Sequence, residues 1–348
     1  MSFLRNSSLL LVVALQASIP AIGQNPEPPQ AAISNGILHV GLYLPDPNNG
    51  FYRGTRFDWS GVIHSLEYEG HQYYGPWFTK TDPKVIDFIF QGSDIIAGPC
   101  SAITGPVEEF SSHEKGLGFD EAKAGGTFIK IGVGVLRRPD EQPYNPYRLY
   151  QIVDGGKWSI QTKKDSIEFT QELSDSISGY AYRYTKVVRL IPGKPEMILE
   201  HRLENTGRRT IQTSLYDHNF LVLDKQPTGP DFVISLPFAI HAQNVQRPDL
   251  ALIQGREFTY RKMLQGRDTV SAEFSGFRQT PADYKITIQN HKAGAGMKIS
   301  GDRPLSQENL WSIRSVLAME PFIAMSIQPG KTFTWKYDYT YYSVPPKQ

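Results

Sequence analysis

The sequence contains one cysteine, Cys100, in 348 residues, so an internal disulfide is excluded. A chain without disulfides draws its stability from a hydrophobic core, and this chain is long enough to bury a large one. Lys and Arg together number 36 and Asp and Glu 35, a formal net charge of +1. This balance provides no bulk attraction to nucleic acid or to an anionic membrane. We therefore expect neither as a partner.

Metal-ligand spacing and internal repeats are also missing. The 8 histidines and the cysteine do not fall at zinc-site intervals, and we predict no metal site and no cofactor. Cys100 is interpreted as a buried small hydrophobe and not as a nucleophile. No repeat with a period of about 20–50 residues is visible, which argues against propellers and solenoids.

Only the N-terminus carries a long apolar run. Arg5 precedes the uncharged stretch Leu9–Leu15, and the small-x-small pattern Ala21–Gly23 follows. This order predicts a secretory signal peptide over residues 1–23, and the run is shorter than the roughly 20 residues that span a bilayer. We expect a secreted or periplasmic protein with no membrane contact after cleavage. A retained N-terminal anchor is the alternative.

The rest of the chain is rich in β-strand patterns. Tyr and Phe number 18 each, as expected of half-buried strand faces. Short apolar-polar runs bounded by Gly, Pro, Asn or Asp predict strands at Ile37–Leu44, Thr127–Leu136, Tyr147–Val153, Ser166–Leu173, Tyr180–Leu190, Glu196–Asn205, Ile211–Tyr216, Tyr284–Gln289, Gly296–Ser300 and Thr332–Tyr342. Only Glu308–Leu317 is interpreted as a short helical or irregular piece.

Residues 24–34 are interpreted as a flexible lead-in. With no linker beyond it, residues 35–348 are predicted to form a single all-β domain, a large antiparallel β-sandwich.

Two segments place ionisable and aromatic residues close together. Gly50–Gly61 contains Arg53, Arg56 and Asp58 among four aromatic residues, a composition suited to binding a hydroxyl-rich ligand. A structural Arg–Asp pair that fixes a loop is the alternative. The segment from Gly105 to Lys123 is interpreted as a charged loop that lines a site, with Glu109 and His113 as its candidates. Asp120, Glu121 and Lys123 are assigned to the solvated surface.

Two further segments contain candidate proton-transfer groups. An Asn-Thr-Gly turn at 205–207 leads into a strand that carries Asp217 and His218. The histidine is near a strand end, where it either transfers protons near neutral pH or serves a structural role. Asp217 points to the opposite face if the strand continues. Glu320 follows an apolar run and precedes Pro321, so desolvation raises its pKa and suits it to act as a base. A salt-bridged structural glutamate is the alternative.

In sequence, these motifs resemble the aldose 1-epimerase (galactose mutarotase-like) superfamily. The resemblance rests on Leu203–Gly207 leading to Asp217–Leu221, on Glu320-Pro321 ahead of Pro329-Gly330 and an aromatic last strand, and on Gly61–Gly70 as an opening hairpin. It covers most of residues 35–343. Two features depart from the family pattern: Asp217 stands in place of an asparagine, and the family's Gly-Arg segment has no counterpart near Gly105.

The resemblance implies interconversion of sugar anomers, with Glu320 as base and His218 as acid. It requires no metal or organic cofactor. Arg53, Arg56, Asp58, Glu109, His113 and Asp217 are the candidates for binding a mono- or oligosaccharide, and Trp311 for stacking on a sugar face.

Two other functions remain open. A carbohydrate-binding protein without catalysis fits the two departures from the pattern. A polysaccharide hydrolase or lyase on the same sandwich would use two carboxylates about 5–10 Å apart, for which Glu320 and Glu109 are the candidate pair.

Overall fold

The computed structural model describes residues 27–110 and 115–343. Within these ranges it consists of strands joined by turns, with two 3₁₀ turns at Leu223–Lys225 and Pro281–Asp283. The strands of the first half are β1 (Gln30–Ser34), β2 (His39–Tyr43), β3 (Val62–Tyr68), β4 (His71–Gln72), β5 (Lys80–Thr81), β6 (Phe88–Gln91), β7 (Asp94–Ala97), β8 (Gly105–Phe110), β9 (Thr127–Lys130), β10 (Gly134–Arg137), β11 (Gln151–Asp154), β12 (Lys157–Thr162) and β13 (Ser166–Ser174).

The strands of the second half are β14 (Ala181–Leu190), β15 (Glu196–Asn205), β16 (Ile211–Leu221), β17 (Phe232–Ser235), β18 (His241–Gln246), β19 (Ala251–Gln254), β20 (Glu257–Tyr260), β21 (Thr269–Ser275), β22 (Lys285–Asn290), β23 (Ala295–Gly301), β24 (Gln307–Ile313), β25 (Val316–Ile327) and β26 (Thr332–Ser343). The predicted signal peptide and His113 lie outside the described residues. Within the predicted lead-in, Gln30–Ser34 form β1. No helix of the described ranges has the length and apolar character needed to cross a membrane.

Two large sheets form the body of the molecule. One has ten strands in the order β12-β13-β14-β15-β26-β23-β22-β17-β20-β19, and the other has six in the order β18-β21-β24-β25-β16-β8. Both are antiparallel throughout, and the other strands of the described residues form three smaller sheets, β1-β2-β3-β4, β11-β10-β9 and β5-β7-β6. Their arrangement is the all-β sandwich that the sequence predicts.

The alternating pattern of β26 explains how the sheets pack. Trp335, Tyr337, Tyr339 and Tyr341 are each buried, whereas the residues between them are at least partly exposed. Side chains alternate between the two faces of a strand, so the buried set faces the six-stranded sheet. The hydroxyl of Tyr339 donates a hydrogen bond to Asn219 Oδ1 on β16, 2.8 Å away, across the space between the sheets.

The six-stranded sheet is covered on both faces. One face packs on the ten-stranded sheet through the larger hydrophobic cluster. The other face packs through Tyr216, Phe220 and Phe322 against a second cluster, which the loops around Phe57 and Trp77 contribute. Its central strands are therefore buried on both sides, and a polar side chain placed on them is desolvated.

Four details of the strand prediction are wrong. Glu308–Leu317 is not helical: β24 and the start of β25 occupy it, because both strands find partners elsewhere in the sheet. The run Thr127–Leu136 is a hairpin of β9 and β10, in which Gly132 turns the chain at a φ of +77°. Of Tyr147–Val153 only the end belongs to a strand, β11. Gly105–Phe110 is not a loop but the fully buried strand β8.

Candidate functional site

A pocket of about 420 Å³ lies on the face of the six-stranded sheet that is turned away from the ten-stranded sheet. Strands β8, β16, β25, β24, β21 and β18 all contribute side chains to its floor. The loops that carry Arg56, Trp77, Asp87 and Tyr147 form its walls. The sequence-predicted residues that meet in it are Arg56, Glu109, His218, Trp311 and Glu320.

His218 and Glu320 are in direct contact on the floor of the pocket. Nε2 of His218 lies 3.1 Å from Oε1 of Glu320, and the two side chains are 4% and 14% exposed. They extend from the neighbouring strands β16 and β25, which pair antiparallel. Because both side chains point to the same face of the sheet, two groups capable of proton transfer lie side by side in the pocket.

The pairing of these two strands is interrupted beside the contact. The register runs from Tyr216↔Phe322 directly to Asn219↔Met319. Pro321 lies in the interval and has no N–H to donate to a ladder. The side chain of Asn219 bridges the interval, donating to the Met319 carbonyl at 3.1 Å.

The environment of the pair sets its protonation state. Burial raises the pKa of Glu320 to about 7, although the charge of Arg56 and the Asn309 amide both act to lower it. Burial also lowers the pKa of His218 well below its ordinary value, and the charge of Arg56 acts in the same direction. At neutral pH the imidazole is therefore neutral, and Glu320 is divided between its acid and its carboxylate.

Asn309 contacts one oxygen of Glu320. It is paired in register with Glu320 across β24 and β25, and its Nδ2 lies 3.5 Å from Oε2 of Glu320. Gln307 donates from Nε2 to Oδ1 of Asn309 at 2.9 Å, which orients the amide with its nitrogen toward the carboxyl. This leaves Oε1 of Glu320 facing His218.

Arg56 enters the pocket from its wall and is held by Glu109 and Tyr216. Its Nε donates to Oε2 of Glu109 at 2.6 Å and its Nη2 to the hydroxyl of Tyr216 at 2.8 Å. The guanidinium lies between the rings of Phe57 and Tyr147, 4.4 and 4.7 Å from their centroids. Its position is fixed before any ligand arrives, which reduces the entropy lost on binding.

Glu109 is a structural counter-ion in this arrangement. Its Oε1 also accepts from the buried Lys130 Nζ at 3.3 Å, and its Oε2 from the Tyr216 hydroxyl at 2.7 Å. Burial alone raises the pKa of Glu109, but Arg56 and Lys130 outweigh it, and the net pKa is below the ordinary value. A carboxylate engaged in this way does not readily carry a proton, so Glu109 is poorly suited to be the second carboxyl of a hydrolase.

Aromatic rings line the pocket around His218. The ring of His218 stacks on Phe220 at 3.7 Å, and Trp77 stacks on the far side at 5.8 Å from Phe220. Trp311 stands edge-on to His218 at 5.9 Å and to Phe88 at 5.6 Å. Aromatic faces beside polar groups are the usual lining of a site for a sugar ring.

Three predicted site residues lie elsewhere. Arg53 is exposed and donates to the Asn48 carbonyl at 2.8 Å. Asp58 is buried, accepts from the Tyr184 hydroxyl at 2.9 Å and pairs with neither arginine. Asp217 is buried on the opposite face of β16, in contact with the Tyr339 hydroxyl between the sheets. The period of two along a strand separates Asp217 from His218.

The prediction missed several lining residues. Tyr216 and Phe220 stand two residues either side of His218, and Asn309 stands two before Trp311, so the strand period was a usable signal for these three. Asp87 and Tyr147 come from loops that carry no comparable pattern. The assignment of Asp120, Glu121 and Lys123 to the exposed surface is confirmed.

Among residues 27–110 and 115–343, no group of three or more His, Cys, Asp or Glu side chains is placed to hold a metal ion.

The fold is shared with proteins of known structure. A putative aldose 1-epimerase from Escherichia coli aligns with a TM-score of 0.51 at 12% identity, over 90% of this chain and 100% of that one. A galactose mutarotase-like protein from Clostridium acetobutylicum aligns with a TM-score of 0.53 at 9% identity, over 90% and 95% of the two chains. An aldose epimerase homologue from C. elegans gives 0.50 at 12%, over 91% and 98%.

No protein-family model matches the sequence, and a search of curated proteins finds no match. At these identities the structural likeness establishes the fold alone. The chain has the galactose mutarotase-like fold that its motifs predict.

Proposed function

We propose that this chain, built on the galactose mutarotase-like fold, interconverts the α and β anomers of a free sugar by acid–base catalysis. The observation that carries the proposal is the 3.1 Å contact between His218 Nε2 and Glu320 Oε1 on the floor of an aromatic-lined pocket. The reaction needs one group to take the proton of the anomeric hydroxyl and another to protonate the ring oxygen. Both oxygens are attached to the same carbon, so the two groups must be neighbours.

The pair holds one proton in its active state. With Glu320 as the acid and His218 neutral, transfer of that proton along their contact gives a carboxylate beside an imidazolium. The carboxylate takes the proton of the anomeric hydroxyl while the imidazolium protonates the ring oxygen, and the bond between the anomeric carbon and the ring oxygen breaks. The products are the open-chain aldehyde, the Glu320 acid and neutral His218. The aldehyde then rotates about the adjacent carbon–carbon bond. The ring closes on the other face of the carbonyl while the two proton transfers run in reverse, and the other anomer is formed.

The surroundings support this chemistry. Phe220 and Trp77 exclude water from one side of His218, and the fixed guanidinium of Arg56 offers hydrogen bonds that need no reorganisation. Asn309 restrains Glu320 Oε2, so Oε1 remains the proton-carrying oxygen. The reactive groups are therefore preorganised by contacts within the protein.

The test is anomer-exchange NMR of the purified protein with a panel of free hexoses and pentoses. We expect exchange above the buffer rate and a loss of about 10²–10⁴-fold in Glu320→Gln, as for removal of a general acid or base. Glu257→Gln, an exposed carboxyl on β20, is the matched control. No acceleration with any sugar, together with line broadening that reports binding, would move the protein to the carbohydrate-binding class.

A further inference from the structure

The pocket extends well beyond the His218–Glu320 pair, toward one edge of the six-stranded sheet. Ser271 and Glu273 on β21 and Asn244 and Gln246 on β18 line the same cavity. Strand β18 is the terminal strand of the sheet. Asn244 and Gln246 are exposed, so the cavity is open at this end.

These side chains are arranged in register with the reactive end. Glu273 pairs with Asn309, which pairs with Glu320, and the three lie in one row across β21, β24 and β25. In the next row Gln246 pairs with Ser271, which pairs with Trp311. Adjacent strands are about 4.8 Å apart, so β21 and β18 lie about 10 and 14 Å from β25. A pyranose ring is about as broad as one strand spacing, and a ring held at Glu320 does not reach β18.

A bulge directs the edge strand into the cavity. The register of β18 against β21 shifts between Gln243 and Gln246, and Asn244 within it has a φ of +50°. Its Nδ2 then donates to Oε2 of Glu273 at 3.1 Å. Bulges commonly re-aim a side chain beside a functional site, and a strained non-glycine residue there is a reason to look for a ligand.

The chemistry of this end fits a neutral hydroxyl-rich ring. Two amides, a hydroxyl and a carboxylate offer both donors and acceptors, as sugar hydroxyls require. Within the described residues, Arg56 is the cation that lines the pocket, and it is already engaged by Glu109 and Tyr216 at the far end. A phosphate or uronate group would face Glu273 without a positive partner.

From these observations we infer that Asn244, Gln246, Ser271 and Glu273 form a second sugar subsite. The substrate is then the free reducing end of a neutral di- or oligosaccharide. Its terminal ring lies at His218 and Glu320, the next ring lies over β21 and β18, and the chain leaves at the open edge. Trp311, on the strand between the two rings, contacts both. The assignment of the reducing end rests on the function proposed above.

The test compares maltose, cellobiose and lactose, which all end in glucose, with glucose itself in anomer-exchange NMR. We expect at least one disaccharide to have a kcat/KM about tenfold above that of glucose. In the double variant Asn244→Ala/Gln246→Ala, the ratio of the disaccharide kcat/KM to the glucose kcat/KM should fall about tenfold, because the KM for the disaccharide rises. Gln254→Ala, an exposed glutamine on the edge strand β19, is the matched control and keeps the ratio.

A disaccharide-to-glucose ratio near one in both the parent protein and the double variant would overturn the second subsite. Cleavage of the disaccharides in the same spectra would also overturn the assignment, because it would identify a hydrolase.

A binding measurement separates this result from failure of the proposed function. Calorimetric titration with methyl cellobioside, which has no free anomeric hydroxyl, reports the subsite without exchange. Binding that weakens about tenfold in the double variant, with no exchange on any sugar, retains the subsite and rejects the anomer interconversion. Binding that is absent, or equal in the two proteins, rejects the subsite.

Discussion

The imidazole of His218 lies parallel to the ring of Phe220, with 3.7 Å between the centroids and 8° between the planes. The residues are two apart on β16 and therefore share a face. Nδ1 of His218 is buried and has no hydrogen-bond partner among the described residues. Ring packing, and not a hydrogen bond at Nδ1, thus holds the imidazole against Glu320.

Phe220→Leu should therefore lower kcat for anomer exchange by about tenfold with little change in KM, since it loosens the angle at which Nε2 meets the substrate. Phe220 acts here as a positioning residue. Phe277→Leu, a partly buried ring packed on the other cluster, serves as the control for general loss of packing. An unchanged kcat in Phe220→Leu, at equal folded fraction, would contradict the positioning role.

The pH dependence of exchange distinguishes two protonation schemes. The active pair holds one proton, and burial raises the pKa of Glu320 to about 7. We therefore expect kcat to fall as the pH rises through about 7. On the acid side it falls only well below the ordinary histidine pKa, where His218 also takes a proton. A rate that rises through pH 7 would show instead that the free carboxylate of Glu320 is the active form. Arg56, Asn309 and Glu109 are the other groups that act on this titration.

Glu320 should destabilise the folded protein at alkaline pH. Its pKa is about 7 in the fold, above its ordinary value of 4.5, so the unfolded chain loses the proton more readily. The contribution of Glu320 to the free energy of unfolding is fully present below about pH 4.5 and is lost as the pH rises from there through about 7. One pKa unit corresponds to about 1.4 kcal/mol, and the loss at pH 8 is about 3 kcal/mol.

Glu320→Gln should therefore raise the free energy of unfolding by up to about 3 kcal/mol at pH 8 and by little at pH 4. Urea unfolding at the two pH values measures this difference. The exposed control Glu257→Gln should show no such difference between them. Equal stability of Glu320→Gln and the parent protein at pH 8 would mean that Glu320 is not desolvated in the fold.

Glu109 should be essential for stability because it lies between the buried Lys130 and the partly buried Arg56. Glu109→Gln leaves Lys130, which is 0% exposed, without a counter-charge and deprives Arg56 of its carboxylate partner. Breaking a buried ion pair costs about 3–5 kcal/mol, and we expect a loss of that size in denaturant unfolding.

The double variant Glu109→Gln/Lys130→Met tests the cause of that loss. Removing the stranded ammonium should recover part of the stability, so the two single effects should not add. Additive losses would show that Lys130 does not depend on Glu109.

Local patterns were enough to predict the class of fold and most of the strands. The Asn-Thr-Gly turn between β15 and β16 and the alternation of β26 depend on residues a few positions apart, where turn chemistry and the period of two act directly. The same period correctly separated Asp217 from His218. At Thr127–Leu136 the period of two led to a prediction of one strand where there are two, because a single strand and a tight hairpin can show the same alternating pattern.

The partners of individual side chains were decided by the tertiary structure. His218 meets Glu320 because β16 pairs with β25, strands in which the contacting residues Asn219 and Met319 are 100 positions apart. Arg56 meets Glu109 and not Asp58 because β8, predicted to be a loop, is the outer strand of the sheet beside β16. The chain's own sequence determined which residues carry protons and that they lie on strands. Which of them share a desolvated pocket depended on strand order and register, which arise from the packing of the whole sheet and leave no local pattern.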